Sequence, residues 1–234
     1  MRSIASNPLL ADDASYDEFL EILDRYWLKD KLPASVRRLI ASGAIPKLPT
    51  AWQAQENDSF HVVLLENPDA ISAAAKAARA RGFRVEVDSK QTEGDYKAVA
   101  DAMVERLVED RLSESQEKVC LVAGGEVSCS VGGRGFGGRN QEFVLYCAAR
   151  LAARGLGERI AVLSCSTDGI DGNSSAVGAV ADVDLINAGR SLGLDASSFI
   201  TENSSTSFFS DAGGVIVTGP TGNNVRDLTI LLIN

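Results

Sequence analysis

The sequence predicts an α/β fold, a mixed or mainly parallel sheet with helices on both faces, preceded by a short helical segment. Two observations lead there. From Phe60 onward, short apolar runs alternate with longer segments whose apolar residues recur every three to four positions. Before Phe60, helical stripes occur without a convincing strand. The 234 residues fit one large or two small domains, and 45% apolar with 24% charged residues is the composition of a soluble globular chain.

Taken in order, Ser6-Asn7-Pro8 is a turn signal, and Asp12-Asp13-Ala14-Ser15 offers capping side chains to a helix beginning near Tyr16. Phe19, Leu20, Ile22, Leu23 and Tyr26 form its stripe. A second short helix spans 33–42 and stops at Gly43; Pro46 and Pro49 make 45–55 an extended linker. Residues 1–54 thus read as the helical remnant of an N-terminal domain plus a linker, and 55–234 as the α/β domain. Within the latter, strands are expected at 60–65, 83–87, 118–123, 127–131, 160–164, 215–217 and 228–233. Helices are expected at 69–81, 95–112, 141–154, 184–192 and 203–211.

Composition excludes several functions. A net charge of −9 argues against general nucleic-acid or anionic-membrane binding, while leaving room for a local basic pocket. No run approaches the roughly 20 apolar residues of a membrane span. The start lacks a secretory apolar core, so a cytoplasmic protein is expected. Cys120, Cys129, Cys147 and Cys165 form no CxxC pair and His61 is the only histidine, which argues against a Cys/His zinc site and a Ser-His-Asp triad. Buried, reduced thiols are expected.

The chemistry concentrates in four glycine-bearing segments that follow predicted strands, where open α/β sheets bind ligands. The richest is Gly132-Gly133-Arg134-Gly135-Phe136-Gly137-Gly138-Arg139-Asn140, lying between a strand and a helix. Glycines let backbone N–H groups approach an anion, the helix start carries about half a positive charge, and Arg139 offers a planar fork. A tight turn with a solvated arginine is the competing reading, but five glycines and two arginines in nine residues exceed what a turn needs. The other segments are Gly124-Gly125-Glu126, Ser166 to Gly172, and Thr218 to Asn224.

Asp168 and Asp171, three apart between glycines, offer hard oxygens to Mg²⁺, with Asx-turn bonding as the alternative. Glu126 could orient Arg139 or hold a metal, or be a plain solvated carboxylate. Thr221 and the amides around Gly222 could form a second anion nest or a simple turn at Pro220. Residues 133–138 also satisfy G-x-G-x-x-G, but no acidic residue ends a strand about 20 positions later, so the dinucleotide match is weak.

Three motifs resemble a known family. Gly137-Gly138-Arg139-Asn140-Gln141-Glu142-Phe143, Thr167-Asp168-Gly169-Ile170-Asp171-Gly172 and Thr218-Gly219-Pro220-Thr221-Gly222 are similar, in family order, to the C-terminal MOFRL domain of the type II glycerate 2-kinases. Relatives of that family are often labelled hydroxypyruvate reductase. The likeness runs from about Ile4 to the C-terminus and includes Asn224-Val225-Arg226-Asp227-Leu228. It implies ATP- and Mg²⁺-dependent phosphorylation of glycerate to 2-phosphoglycerate, in a cleft between a Rossmann-like N-terminal domain and this one. It further implies Arg139 and Asp168 as catalytic residues. Glu126, Gly137, Gly138, Asn140, Thr167, Asp171, Thr221 and Gly222 would bind substrate or phosphate, and Asp168 and Asp171 would stand near metal. Family members are roughly twice as long, so a homodimer, or a partner chain supplying the missing nucleotide-contacting domain, is expected. The sequence departs from the family pattern at Asn7, Ala123, Ser204 and Asn223.

Overall fold

A computed structural model describes residues 15–43, 62–88, 92–112, 118–156 and 159–234, with the backbone alone at 108–112. The chain divides into two units, Met1–Val63 and Leu64–Asn234. In the first, α1 (Tyr16–Arg25) opens on a capping box: Glu18 N donates to Ser15 Oγ at 3.1 Å, and Ser15 N donates to Glu18 Oε2 at 2.7 Å. α2 (Ala34–Ala41) follows Pro33, and the Tyr16 hydroxyl donates to the Ile40 carbonyl. The linker expected at 45–55, the turn at Ser6-Asn7-Pro8 and His61 lie outside the described residues.

The second unit runs α3 (Asn67–Arg79), β1 (Arg84–Val87), β2 (Thr92–Asp95), α4 (Tyr96–Leu112), β3 (Val119–Ser128), α5 (Arg139–Ala153), β4 (Ile160–Ser166), β5 (Gly178–Asp182), α6 (Val183–Ser191), α7 (Ala196–Thr201), α8 (Ser205–Ala212), β6 (Val215–Ile216) and β7 (Asp227–Ile233). The sheet order is β1-β3-β7-β4-β5-β6, with β2 also beside β3. β1 and β2 run parallel to β3, and the other described pairings are antiparallel, which makes the sheet mixed.

Alternate residues of each strand point to opposite faces. Val119, Leu121, Ala123, Val162 and Leu231 join Phe143, Cys147 and Leu151 of α5 in one buried core. α3 packs against β1, β3 and β7, with Asn67 under Gly124. All four cysteines are free thiols, Cys120 and Cys147 buried and Cys129 and Cys165 half-buried, and removal from water pushes their pKa values up, to about 11 at Cys129 and Cys165.

Two expectations need correction. Residues 62–65, the described part of the strand expected at 60–65, form no strand. They are apolar enough, but β3 is already flanked by β1 and β2 on one edge and β7 on the other. The strands expected at 118–123 and 127–131 are one ten-residue strand, so Gly124-Gly125-Glu126 is not a loop. Gly125 makes this continuity workable: at φ +148° it brings β2 so near that a Cβ would lie 2.4 Å from the Thr92 carbonyl oxygen. β2, β5 and α7 were not expected. Thr92-Glu93-Gly94-Asp95 lacks apolar alternation because it is a polar edge strand.

Candidate anion site at the strand ends

Register fixes where the site lies. Asp227, the first residue of β7, pairs with Gly125 of β3 on one side and Ser166 of β4 on the other. The carboxyl ends of β3 and β4 therefore meet the start of β7, and the loops 167–172 and 218–226 leave from that row. Thr221 N donates to the Asp168 carbonyl and Thr221 Oγ1 to the Thr167 carbonyl, at 3.0 and 2.6 Å. Thr167 N and Oγ1 both donate to the Arg226 carbonyl, and Val225 N donates to Thr167 Oγ1. Two loops distant in sequence are thus stitched into one rim that carries Thr167, Asp168, Thr221 and Gly222.

The helix start expected to receive an external anion already holds an internal one. Gly138, the N-cap of α5, has no side chain to cap with. Asp171 caps instead. Its Oδ1 accepts from Asn140 N and Nδ2, and its Oδ2 from Gln141 N and Nε2, all at 3.0–3.1 Å. A Cβ on Gly138 would sit 2.2 Å from Asp171 Cγ, so here the glycine admits a carboxylate of the protein itself. Burial pushes the Asp171 pKa up, while donation from Gln141 and Asn140 pulls it back.

The network continues inward. Ser164 Oγ donates to Asn140 Oδ1 at 2.6 Å and meets Thr229 Oγ1, while Thr206 Oγ1 donates to Gln141 Oε1. Asn140 and Asp171, expected to bind ligand, are buried at 0% and 1% exposure. The structure gives both to the architecture beneath the site. The rest of the glycine stretch is likewise occupied: Gly132 N and Gly133 N donate to Asn203 Oδ1, Gly135 N to the Glu202 carbonyl, and Gly137 N to Asn173 Oδ1. A pyrophosphate cradle of the dinucleotide type would need those amides.

Arg139 remains at the surface, locked along one edge. Its Nε and Nη2 donate to Asp227 Oδ2 and Oδ1 at 2.5 and 2.9 Å. Its Nη1 meets Glu126 Oε1 at 3.3 Å. The Arg139 side chain is 29% exposed, Asp227 5% and Glu126 50%. Asp227 raises the Arg139 pKa further, so the guanidinium is a permanent charge. Asn67 Nδ2 steadies the strand start by donating to the Val225 and Asp227 carbonyls.

Asp227 is absent from the sequence-derived site. The available signal was an acid opening a mostly apolar strand, Asp227 before Leu228 to Ile233. Asp168 is half-buried, with Oδ1 accepting from Ser166 Oγ and Ile170 N. Among the described residues no group of three His, Cys, Asp or Glu side chains could hold a metal ion.

Glu142, one turn into α5, is 1% exposed, with Oε1 accepting from Ser205 N and Oε2 without a hydrogen-bond partner. Burial pushes its pKa above the ordinary 4.5, against the opposing donation from Ser205. A raised acid contributes stability that is whole below pH 4.5 and is lost as pH rises through the folded-state value. Glu142→Gln is therefore expected to unfold at a higher temperature than the parent at pH 8, with the gap closing toward pH 4.5. Parallel melting curves across that range check it, and a gap independent of pH would refute it.

Comparison with known proteins places this arrangement. The MOFRL family model matches residues 119–227, from the first residue of β3 to the carboxylate that holds Arg139. Glycerate kinase of Macaca fascicularis is 31% identical, across 98% of this chain and 68% of its own length. The chain belongs to the glycerate kinase family. Danio rerio glycerate kinase is also 31% identical, with 98% of this chain and 55% of the relative covered. The crystal structure of a Thermotoga maritima glycerate kinase superposes with a TM-score of 0.71 at 26% identity, over 95% of this chain and 51% of that one. This family member thus spans about half the length of most of the curated relatives it matches. Its mixed α/β fold agrees with those solved neighbours. No helix among the described residues is long and apolar enough to cross a membrane.

Proposed function

We propose that this chain supplies the hydroxy-acid-binding face of a glycerate kinase active site, acting in phosphorylation of glycerate to 2-phosphoglycerate. The observation that carries this is Arg139. Its guanidinium is pinned at the strand ends by the buried Asp227 while Nη1 faces a half-exposed glutamate. A fork fixed along one edge, and met on the other by a half-exposed glutamate that can turn to water, can take a carboxylate or phosphate without first being ordered. Thr167, Asp168, Thr221 and Gly222 would line the same rim, and the Thr221 and Thr167 bonds hold them at a fixed distance from the strand ends.

Kinase chemistry calls for ATP and Mg²⁺, which when bound supply the transferred phosphoryl group and neutralise its charge. Asp171 does not fit as a metal ligand, because both its oxygens cap α5. Asp168, half-buried with one oxygen less fully used, fits as a single carboxylate of the kind Mg²⁺ takes alongside phosphates. This chain's share of the work is then to bind and orient the acid and to hold positive charge near the developing phosphate.

A non-catalytic ligand-binding module that works with a partner chain or a second copy is the alternative reading. A coupled assay for ADP release with R-glycerate, ATP and Mg²⁺, run beside calorimetric titration of R-glycerate, separates the two. Turnover supports the kinase, whereas glycerate binding without turnover supports the module. Failure to bind glycerate, or NADH oxidation with hydroxypyruvate, would overturn both.

A further inference from the structure

Donors from three parts of the chain meet the Asp168 carboxylate. Ser166 closes β4 and is 2% exposed. Its hydroxyl donates to Asp168 Oδ1 at 2.8 Å, and Ile170 N donates to the same oxygen at 3.0 Å. Asp168 Oδ2 meets, among the described residues, Asn224 Nδ2 alone, at 3.4 Å. Asn224 stands 56 residues further along the chain, on the loop between β6 and β7.

The Asn224 amide fits there one way round. Its Oδ1 accepts from Arg226 N at 3.0 Å, which turns Nδ2 toward Asp168. A flipped amide would set oxygen against oxygen and N–H against N–H. Ser166 is fixed as firmly: its N donates to the Val177 carbonyl, and it pairs in register with Asp227, the residue that holds Arg139. An Asx turn is complete once Ile170 N reaches one carboxylate oxygen. The turn itself needs neither the Ser166 hydroxyl nor the Asn224 amide, yet together they fix the plane of the carboxylate. Oδ1 is held by two firm donors, whereas Oδ2 has one long contact, so Oδ2 is the oxygen with capacity to spare.

We infer that Ser166 and Asn224 are positioning residues for Asp168, presenting its Oδ2 to a divalent cation that enters with the substrate. The inference rests on the function proposed above, in which Asp168 meets Mg²⁺, and names the residues that hold the carboxylate for it. Ser166 acts from beneath by fixing Oδ1. Asn224 acts from the facing loop as a neutral donor, steadying Oδ2 without adding a second carboxylate that would bind the ion more tightly.

Mn²⁺ is the probe, its binding followed by loss of the free-ion electron paramagnetic resonance signal, with melting curves in EDTA beside it. Ser166→Ala is expected to weaken Mn²⁺ binding about ten-fold, the effect of removing a hydrogen bond that orients a metal ligand. Asn224→Asp keeps the acceptor for Arg226 N and sets a second carboxylate oxygen where the amide nitrogen was. It is expected to melt below the parent in EDTA, where the two carboxylates repel, and to bind Mn²⁺ about ten-fold more tightly. Parent-like Mn²⁺ affinity in either variant overturns the inference. So does Asp168→Asn that binds Mn²⁺ as the parent does, since the ion then lies elsewhere. Should Ser166→Ala fail to fold, Asn224→Asp decides alone. Calorimetric titration with R-glycerate keeps the two readings apart. A parent that takes glycerate but no Mn²⁺ loses the positioning role and keeps the proposed function. A parent that takes Mn²⁺ with the expected pattern of variants, but no glycerate, loses the proposed function alone.

Discussion

Replacing Arg139 by alanine is expected to destabilise the α/β unit by about 3 kcal/mol, on the order of 10 °C in unfolding midpoint, before any effect on ligands is considered. The reason lies in its partner. Asp227 is 5% exposed, and both its carboxylate oxygens take their hydrogen bonds from Arg139. Without the guanidinium a buried carboxylate is left uncompensated. The reverse substitution should cost less. In Asp227→Ala the orphaned cation is Arg139, which is 29% exposed, keeps Glu126 and can hydrate, so a loss of about 1–2 kcal/mol is expected. The double variant should be more stable than Arg139→Ala alone, since removing both partners removes the buried orphan. Thermal melts of the three variants check this order. Arg139→Ala melting with the parent would show that Asp227 does not depend on it. Loss of activity in Arg139→Ala alone therefore cannot be read as a pure loss of binding; Asp227→Ala, which spares the guanidinium but frees its orientation, is the better probe of positioning.

What the sequence made legible followed from periodicity. The stripe Phe143, Val144, Cys147, Ala148 and Leu151 lies buried on α5, and the alternation of Leu228 to Ile233 is the strand β7 with every second residue inward. The mixed sheet follows from the same alternation of segments. Illegible parts were those where tertiary pairing decides. Residues 62–65 have strand composition but no free edge of β3 to join, and Thr92–Asp95 has the opposite, an edge without strand composition. In the site, the sequence displays residue types but not their partners. A glycine before a helix start looks the same whether it admits a phosphate or an aspartate from another loop. Only the fold reveals that Asp171 arrives there, because the pairing joins Gly138 to a turn that local patterns cannot reach. Arg139 was visible as a cation, but whether it is free or bidentate depends on which residue opens β7.

The remaining large effect is expected at Asp171. Asp171→Asn should destabilise the unit by about 3 kcal/mol with no metal or nucleotide present. Each oxygen of the aspartate accepts two N–H donors, one backbone and one side chain, from Asn140 and Gln141. An asparagine turns one of those acceptors into a donor, so whichever way it sits, two buried N–H groups face another N–H. It also removes the negative charge from the start of α5, where the aligned peptide dipoles favour it. The loss should be local as well as global: amides of Asn140 and Gln141 are expected to exchange hydrogen faster than those in the middle of α5. A metal-ligand role predicts a different pattern, because a carboxylate released from Mg²⁺ duty tolerates an amide while the ion is absent. Melting the parent and Asp171→Asn in EDTA and then in Mg²⁺ discriminates between them. A deficit already full in EDTA and unchanged by Mg²⁺ places the carboxylate beneath the site as the cap of α5. A deficit that emerges only with Mg²⁺ would move Asp171 into the ligand shell and require its four internal hydrogen bonds to break when the ion binds.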